Sequence, residues 1–414
     1  MMRFYKIFFC FFLILNFTAI AQKPFVQYNL DKLVMLKGSL VKKTASKETE
    51  KEYKALLKKA DKILLAENPT VINKTIDPPS KSKNDYLSIS RYWWPNKEDK
   101  KGSWIRKDGE TNPDTQTDAV DRNRLNKMIS YVETLSLAYY FTGEEKYVKK
   151  GVSVIDTWFV DEKTKMNPHL RYAQSIPGKT KSRRSGILDG RGIPLKVLDA
   201  ITLFSGSKHW LKEVELGVNK WLLEYTIWLV YSETGYKGIK QENNHGSWYN
   251  AQMAALGYYT GDINIVKKAV DRTKELIEIQ LESDGSQSHE LKRTRSYFYS
   301  SFNLDAITRT AIIAEKAGLP FWNFKTKEGK SIAKAIEFLI PAANGAEWKY
   351  KTTSKGLEEA YLVPILKRVS GKFNDSNFDD TYNVLIEKIK LKTSKSSKEK
   401  KIFKDIRFLN QNLY

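Results

Sequence analysis

One helical hairpin is written twice in this chain. Ala138-Tyr139-Tyr140-Phe141-Thr142-Gly143-Glu144, followed by Val148-Lys149-Lys150-Gly151-Val152, matches Leu256-Gly257-Tyr258-Tyr259-Thr260-Gly261-Asp262, followed by Val266-Lys267-Lys268-Ala269-Val270, at a constant offset of 118. Each copy predicts a helix, a Thr-Gly turn and a second helix a few residues on, because glycine relieves the left-handed position just past a helix end. A fainter copy, Ala314-Glu315-Lys316-Ala317-Gly318-Leu319-Pro320, precedes a helix expected around 331–339. Such hairpins cannot bury their apolar faces singly, so they stack. Residues 120–390 have room for about six or seven of them at roughly 40 residues per pair. Closed on itself, the stack is an all-α fold, an (α/α) toroid or incomplete barrel; an open solenoid is the alternative. Little in this region reads as sheet.

The flanks organise around that frame. Arg3 and Lys6 precede an apolar run from Ile7 to Ile20, and Ala19-Ile20-Ala21 offers a small-x-small cleavage site, so residues 1–21 are expected to be a signal peptide. The run is short for a membrane span. Cys10 is the only cysteine and lies inside it, which excludes a disulfide or a cysteine zinc site in the mature protein. The expected location is therefore periplasmic or secreted, with no membrane attachment once the signal is removed. Residues 22–84 read as a basic N-terminal segment packing on the main domain, with one helix from about Lys47 to Ala66. The toroid domain is expected over 85–390 and a basic, solvated tail over 391–414. Within the domain, 85–115 reads as a lid-like loop rich in aromatic, Arg, Gly and Pro residues.

Charge narrows the partner. Lys+Arg number 70 against 48 Asp+Glu, a formal charge of +22 that becomes +20 without Arg3 and Lys6. A strong positive excess on an exported protein points to a polyanion, and export makes an acidic polysaccharide a better expectation than nucleic acid. Trp 10, Tyr 22 and Phe 19 supply core, and also flat faces on which sugar rings stack.

The chemistry concentrates in two stretches expected to face one another across a cleft. The first is Gln241-Glu242-Asn243-Asn244-His245-Gly246-Ser247-Trp248-Tyr249; the second is His289-Glu290-Leu291-Lys292-Arg293-Thr294-Arg295-Ser296-Tyr297-Phe298-Tyr299. A lone histidine is more often structural, and a lone tyrosine or arginine belongs to core, rim or an ion pair. Three adjacent polar side chains, however, are costly to bury without partners, and Asn and Gly suit helix interiors poorly. A ligand explains the group better than packing does. The four histidines show no metal-ligand spacing, and no P-loop, dinucleotide fingerprint or nucleophile elbow is present; neither metal nor cofactor is expected. The residues suit β-elimination at a uronic acid. Asn, His and Arg balance the carboxylate and the enolate-like state, while Tyr serves as base and acid if cationic neighbours lower its pKa.

These motifs, with Arg91-Tyr92-Trp93-Trp94-Pro95 upstream, resemble the alginate lyase superfamily of (α/α)-toroid polysaccharide lyases over about residues 80–370. The resemblance implies cleavage of a polyuronate, alginate (polymannuronate) or glucuronan, at the 4-O-glycosidic bond to leave a 4,5-unsaturated uronate. Carried over by motif, the catalytic residues are Asn244, His245, Arg293 and Tyr299, with Tyr297 the fallback for Tyr299. It also implies substrate-binding roles for Asn243, Arg91, Tyr92, Trp93, Trp94, Arg122, Tyr172, Gln174, Arg191, Trp248, Arg295 and Tyr297, with Arg124 a softer candidate. Two other classes stay open from sequence: an (α/α)-toroid glycoside hydrolase, needing two placed carboxylates from Glu242, Asp284 and Glu290, and a non-catalytic binder of acidic glycans. Side-chain identity does not choose the polymer, endo or exo cutting, or the oligomeric state.

Overall fold

The computed structural model describes residues 23–99, 102, 104–178, 186–354, 356–373, 376–393 and 413. The expected signal segment, with Arg3, Lys6 and Cys10, and residues 394–412 and 414 of the expected tail lie outside them. Before the repeats come α1 (Leu30–Val41) and α2 (Lys47–Leu64), then three short strands, β1 (Leu87–Ile89), β2 (Trp93–Trp94) and β3 (Ile105–Arg106). The helical frame follows as α3 (Arg122–Thr142) and α4 (Glu145–Phe159). Strand β4 (Tyr172–Ser175) intervenes before α5 (Leu198–Phe204), α6 (Lys212–Tyr231) and α7 (Glu233–Ile239). The remaining helices are α8 (Asn244–Thr260), α9 (Ile263–Gln280), α10 (Ser288–Leu291), α11 (Ser296–Lys316), α12 (Ile332–Ala343), α13 (Val363–Val369) and α14 (Ser376–Thr393).

The two full copies of the repeat are α3–α4 and α8–α9. Their turn glycines, Gly143 and Gly261, sit at φ 74° and 82°, where a side chain would be strained. The third copy is α11–α12, with Gly318 at φ 71° after α11. Helices pack in two layers. The inner layer runs α3, α5, α8, α11, α13, with a π-helical turn, Ile193–Val197, joining α5 to both α3 and α8. The outer layer comprises α2, α4, α6, α9, α12 and α14.

Burial separates the layers. All seven residues of α5 are buried, and α8 is buried without a break from Gly246 to Gly257. Outer α9 is amphipathic: Val266, Ala269, Val270, Thr273, Leu276 and Ile277 face inward, while Lys267, Lys268, Asp271 and Glu275 are exposed. Leu33 and Leu36 of α1, and Leu56, Ala60 and Ile63 of α2, join the same hydrophobic cluster as the inner helices. The helix expected at 47–66 is α2; α1 was not foreseen.

Residues 23–29 form a strap that ties α5 to α11. The Asp199 carboxylate of α5 accepts backbone N–H bonds from Val26, Gln27 (2.9 Å) and Tyr28 (2.9 Å). From α11, Lys316 donates to the carbonyls of Phe25 (2.8 Å) and Tyr28 (2.6 Å), and Arg309 donates to the Gln27 side chain (3.1 Å).

Among the described residues the paired strands are the short β1 to β4. β1 pairs parallel with β4, and β2 pairs antiparallel with β3. These pairings give the 85–115 segment a framed shape and bring it to the ends of the inner helices.

Candidate active site

The run Asn243-Asn244-His245-Gly246 sits at the start of α8, not in its interior. Asn243 is the N-cap, and its side chain accepts the His245 N–H at 3.0 Å, satisfying one of the four orphan donors of a helix start. Asn244 is therefore held at the mouth of the inner layer, and it is only 2% exposed.

The two motif stretches were expected on opposite sides of a cleft. The structure joins them instead. Glu290, also 2% exposed, accepts the Asn244 backbone N–H at 2.8 Å and the Asn244 Nδ2 at 2.9 and 2.8 Å on its two oxygens. Behind this contact Asn303 of α11 donates to Gln280 (2.7 Å) and Gln287 (2.9 Å), and Ser247 meets Gln280 at 3.3 Å. A buried polar net thus fixes the ends of α8 and α9 against α10 and α11.

The opposite wall comes from the loop and α3. Ser90, Arg91, Tyr92, Arg122, Gln174, Leu188, Asp189, Arg191, Asn244, His245, Arg293, Phe298, Tyr299 and Phe302 line one cleft of about 700 Å³. All four residues expected to be catalytic line it, as do Arg91, Tyr92, Arg122, Gln174 and Arg191. The other expected binding residues lie elsewhere. Asn243 caps α8; Trp93 and Trp94 form β2, with Trp94 Nε1 donating to the Glu110 carbonyl at 3.2 Å. Tyr172 packs with Leu87 and Val120. Trp248 is buried under Arg191 and against Phe302. Tyr297 is buried, donates to the Leu339 carbonyl at 3.3 Å and packs on Trp348, because its place on α11 turns it to the outer layer. Arg124, the softer candidate, is spent on backbone carbonyls of Asn73, Asp118 and Val120.

Two arginines expected to meet substrate are already paired. Arg293 donates to Asp108 of the loop through Nε (3.2 and 3.1 Å) and Nη2 (2.6 Å), and Thr294 adds its N–H and hydroxyl to the same carboxylate at 3.1 Å. Partial burial raises the Asp108 pKa, but the hydrogen bonds from Arg293 and Thr294 outweigh it and hold the carboxyl well below the usual range. The next residue, Gly109, has φ +81°, and a Cβ there would lie 2.3 Å from the Thr294 hydroxyl, so only glycine lets the loop approach this closely. Arg295 forks onto Glu358 at 2.7 and 2.5 Å, reaches the Tyr92 hydroxyl at 3.3 Å and stacks on Phe298.

Arg122 pairs with the buried Asp189 at 3.1 Å. Asp189 also accepts from Tyr86 (3.0 Å), Ser88 (2.6 Å) and Gln174 (2.9 Å). Burial opposes its charge, but Arg122 and these donors keep its pKa below the ordinary value. Gln174 holds this position at φ +51°, a strained conformation for a non-glycine residue at a cleft wall. Arg91 and Arg191, by contrast, carry no ion pair with a carboxylate among the described residues. Arg191 donates to the Leu188 carbonyl at 2.7 Å, and burial plus the charge of Arg91 lower its pKa to about 10. The cleft therefore holds two cations whose mutual repulsion an anion would relieve.

Tyr299 lies under Arg293, its ring 3.6 Å from the guanidinium, and its hydroxyl meets that of Tyr92 at 3.1 Å. The expectation was a tyrosine whose pKa cationic neighbours lower. The balance goes the other way: burial first, then Tyr92, raise it above the ordinary phenol value, and Arg293 only partly offsets them. The carboxylates Asp108, Asp189 and Glu358 escaped the sequence reading, since each acts on a partner far away in the chain. Of the carboxylates considered for hydrolysis, Glu242 and Asp284 are exposed and Glu290 grips Asn244, so none of the three lines the cleft.

The family model for alginate lyase matches residues 70–348. Among solved structures the chain is similar to an alginate lyase from Bacteroides ovatus, at 36% identity and TM-score 0.81, covering 86% of this chain and 94% of that one. It shares a fold with alginate lyase A1-III from Sphingomonas species A1, at 15% identity and TM-score 0.55 over 86% of this chain and 90% of that one. A variant of alginate lyase A1-III complexed with tetrasaccharide gives TM-score 0.58 at 15% identity, over 87% and 91%. No curated protein matches.

Proposed function

The chain belongs to the alginate lyase family, and from that membership we propose that it is an exported polysaccharide lyase whose catalytic residues are Asn244, His245, Arg293 and Tyr299. The reaction is β-elimination on alginate. The proton on C5 leaves to a base, the C5 electron pair forms the C4=C5 double bond, and the C4–O4 bond breaks with protonation of O4. The observation that carries the assignment is convergence: the four residues, drawn from α8, the segment after α10, and α11, line one cleft with the carboxylate-free cations Arg91 and Arg191.

Each group has a part suited to its chemistry. Arg91 and Arg191 offer charge to the uronate carboxylate, which acidifies the C5 proton. His245 stands beside it as a hydrogen-bond donor for the developing enolate, and Asn244 meets the sugar through its side-chain amide. Tyr299, adjacent to the Arg293 cation, takes the C5 proton and returns one to O4, a syn route that suits mannuronate. Glucuronate polymers present the same geometry and remain within the proposal. Removal of the expected signal would deliver the enzyme to the compartment where such polymers are met.

The test is ultraviolet absorbance of the unsaturated uronide on polymannuronate, polyguluronate and glucuronan. Absorbance should rise on polymannuronate or glucuronan, and Tyr299→Phe should slow it by about 10³-fold, the scale of lost acid–base catalysis. A folded Tyr299→Phe protein with undiminished activity would overturn the assignment. New reducing ends without absorbance would indicate hydrolysis.

A further inference from the structure

Glu290 is buried and does not itself line the cleft, yet it holds Asn244, one of the two side-chain amides that do. We propose that Glu290 is a positioning residue for the elimination, fixing which end of the Asn244 amide the sugar meets; this rests on the lyase reading above. A carboxylate only accepts. Its two oxygens take Asn244 Nδ2 at 2.9 and 2.8 Å and the backbone N–H at 2.8 Å, which commits the amide nitrogen to the protein side. The amide oxygen is left over. Asn244 Oδ1 is buried and has no hydrogen-bond partner among the described residues. A buried acceptor without a donor is costly, and Asn244 lines the cleft, so the donor that completes it comes with the ligand: a ring hydroxyl of the uronate.

The same contact predicts how the site fails. Burial works against charge on Glu290, and the hydrogen bonds from Asn244 work for it; Arg293 favours the charge and Asp108 opposes it. A protonated Glu290 is a donor, and a donor there would turn the amide over, presenting Nδ2 to the cleft. Glu290→Gln imitates that state in size and hydrogen bonding.

The experiment is a double-mutant cycle on polymannuronate with Glu290→Gln, Asn244→Ala and the double variant, with melting temperature followed in parallel. Glu290→Gln should lower kcat about 30-fold with KM changed less than about 3-fold, on the scale of one mispaired buried hydrogen bond. In the Asn244→Ala background the same substitution should cost nothing further. Additive losses would overturn the proposal, as would a Glu290→Gln loss that tracks melting temperature alone. Glu290→Asp, which keeps the charge but withdraws it by one methylene, gives the same cycle if the glutamine variant does not fold. A second readout needs no turnover. The side-chain NH₂ resonances of Asn244, identified by their loss in Asn244→Ala, should move strongly between wild type and Glu290→Gln. Unmoved resonances sink the inference even in an active lyase, whereas moved resonances in a protein inactive on every polyuronate sink only the lyase reading.

Discussion

Tyr299 is the residue whose chemistry depends most on its surroundings. Its phenol is held protonated, because burial and Tyr92 raise its pKa above the ordinary phenol value despite Arg293. The free enzyme's base is then the minor, ionised form, which grows tenfold per pH unit below the pKa. The ratio kcat/KM reports free-enzyme groups, so it should climb with pH through neutrality and not level off until the alkaline range. Tyr92→Phe removes a neighbour that raises the pKa and should shift this limb to lower pH; an unshifted limb would remove Tyr92 from the account. The place of Asn244 and His245 at the cleft was legible in sequence because clustered polar groups have few structural explanations, whereas Tyr299 was reached through the family resemblance. Asp108 was not legible, because its partner Arg293 is 185 residues away and nothing local to Asp108-Gly109 announces it.

The elements divide in the same way. α3–α4 and α8–α9 were readable because each outer helix carries a period and each turn a glycine. The inner helix α5 carries no period, since neighbours surround it and every face is apolar or satisfied. Strands β1 to β4 are too short for alternation to register. They matter because they carry the 85–115 loop to the segment between α10 and α11, where Asp108 fastens it to Arg293 and Thr294. Asp108→Asn should weaken that fastening by about 1.5–3 kcal/mol, the scale of a charged hydrogen bond. Amide exchange at Thr294, whose N–H donates to Asp108 at 3.1 Å, should accelerate while exchange in α8 stays unchanged. Equal acceleration in both would mean global loosening, not release of the loop.

At the scale of the whole molecule, the positive excess and the strap come to the fore. A polyanion steered by the formal charge of +20 that remains without Arg3 and Lys6 should bind less readily as salt rises, so kcat/KM should fall with ionic strength more steeply than kcat. The strap depends on Asp199, which gathers three of its backbone N–H groups. Asp199→Ala strands those donors and should lower stability by about 3 kcal/mol or more, read as a fall in the denaturant midpoint; an unchanged midpoint would show that the strap does not hold α5 to α11. The toroid was legible from its repeats, but the strap was not, since residues 23–29 have no motif and take their meaning from α5 and α11. That arrangement sets an order of events during synthesis. Gln27 leaves the ribosome early, yet Arg309, the side chain it meets, is 282 residues behind. At the usual pace of elongation the wait is roughly 15 to 60 s. Asp199, which accepts the backbone N–H groups of the strap, follows 172 residues after Gln27, so until Arg309 arrives the strap has its seat on α5 alone. The first described residues to be made are thus among the last to complete their contacts.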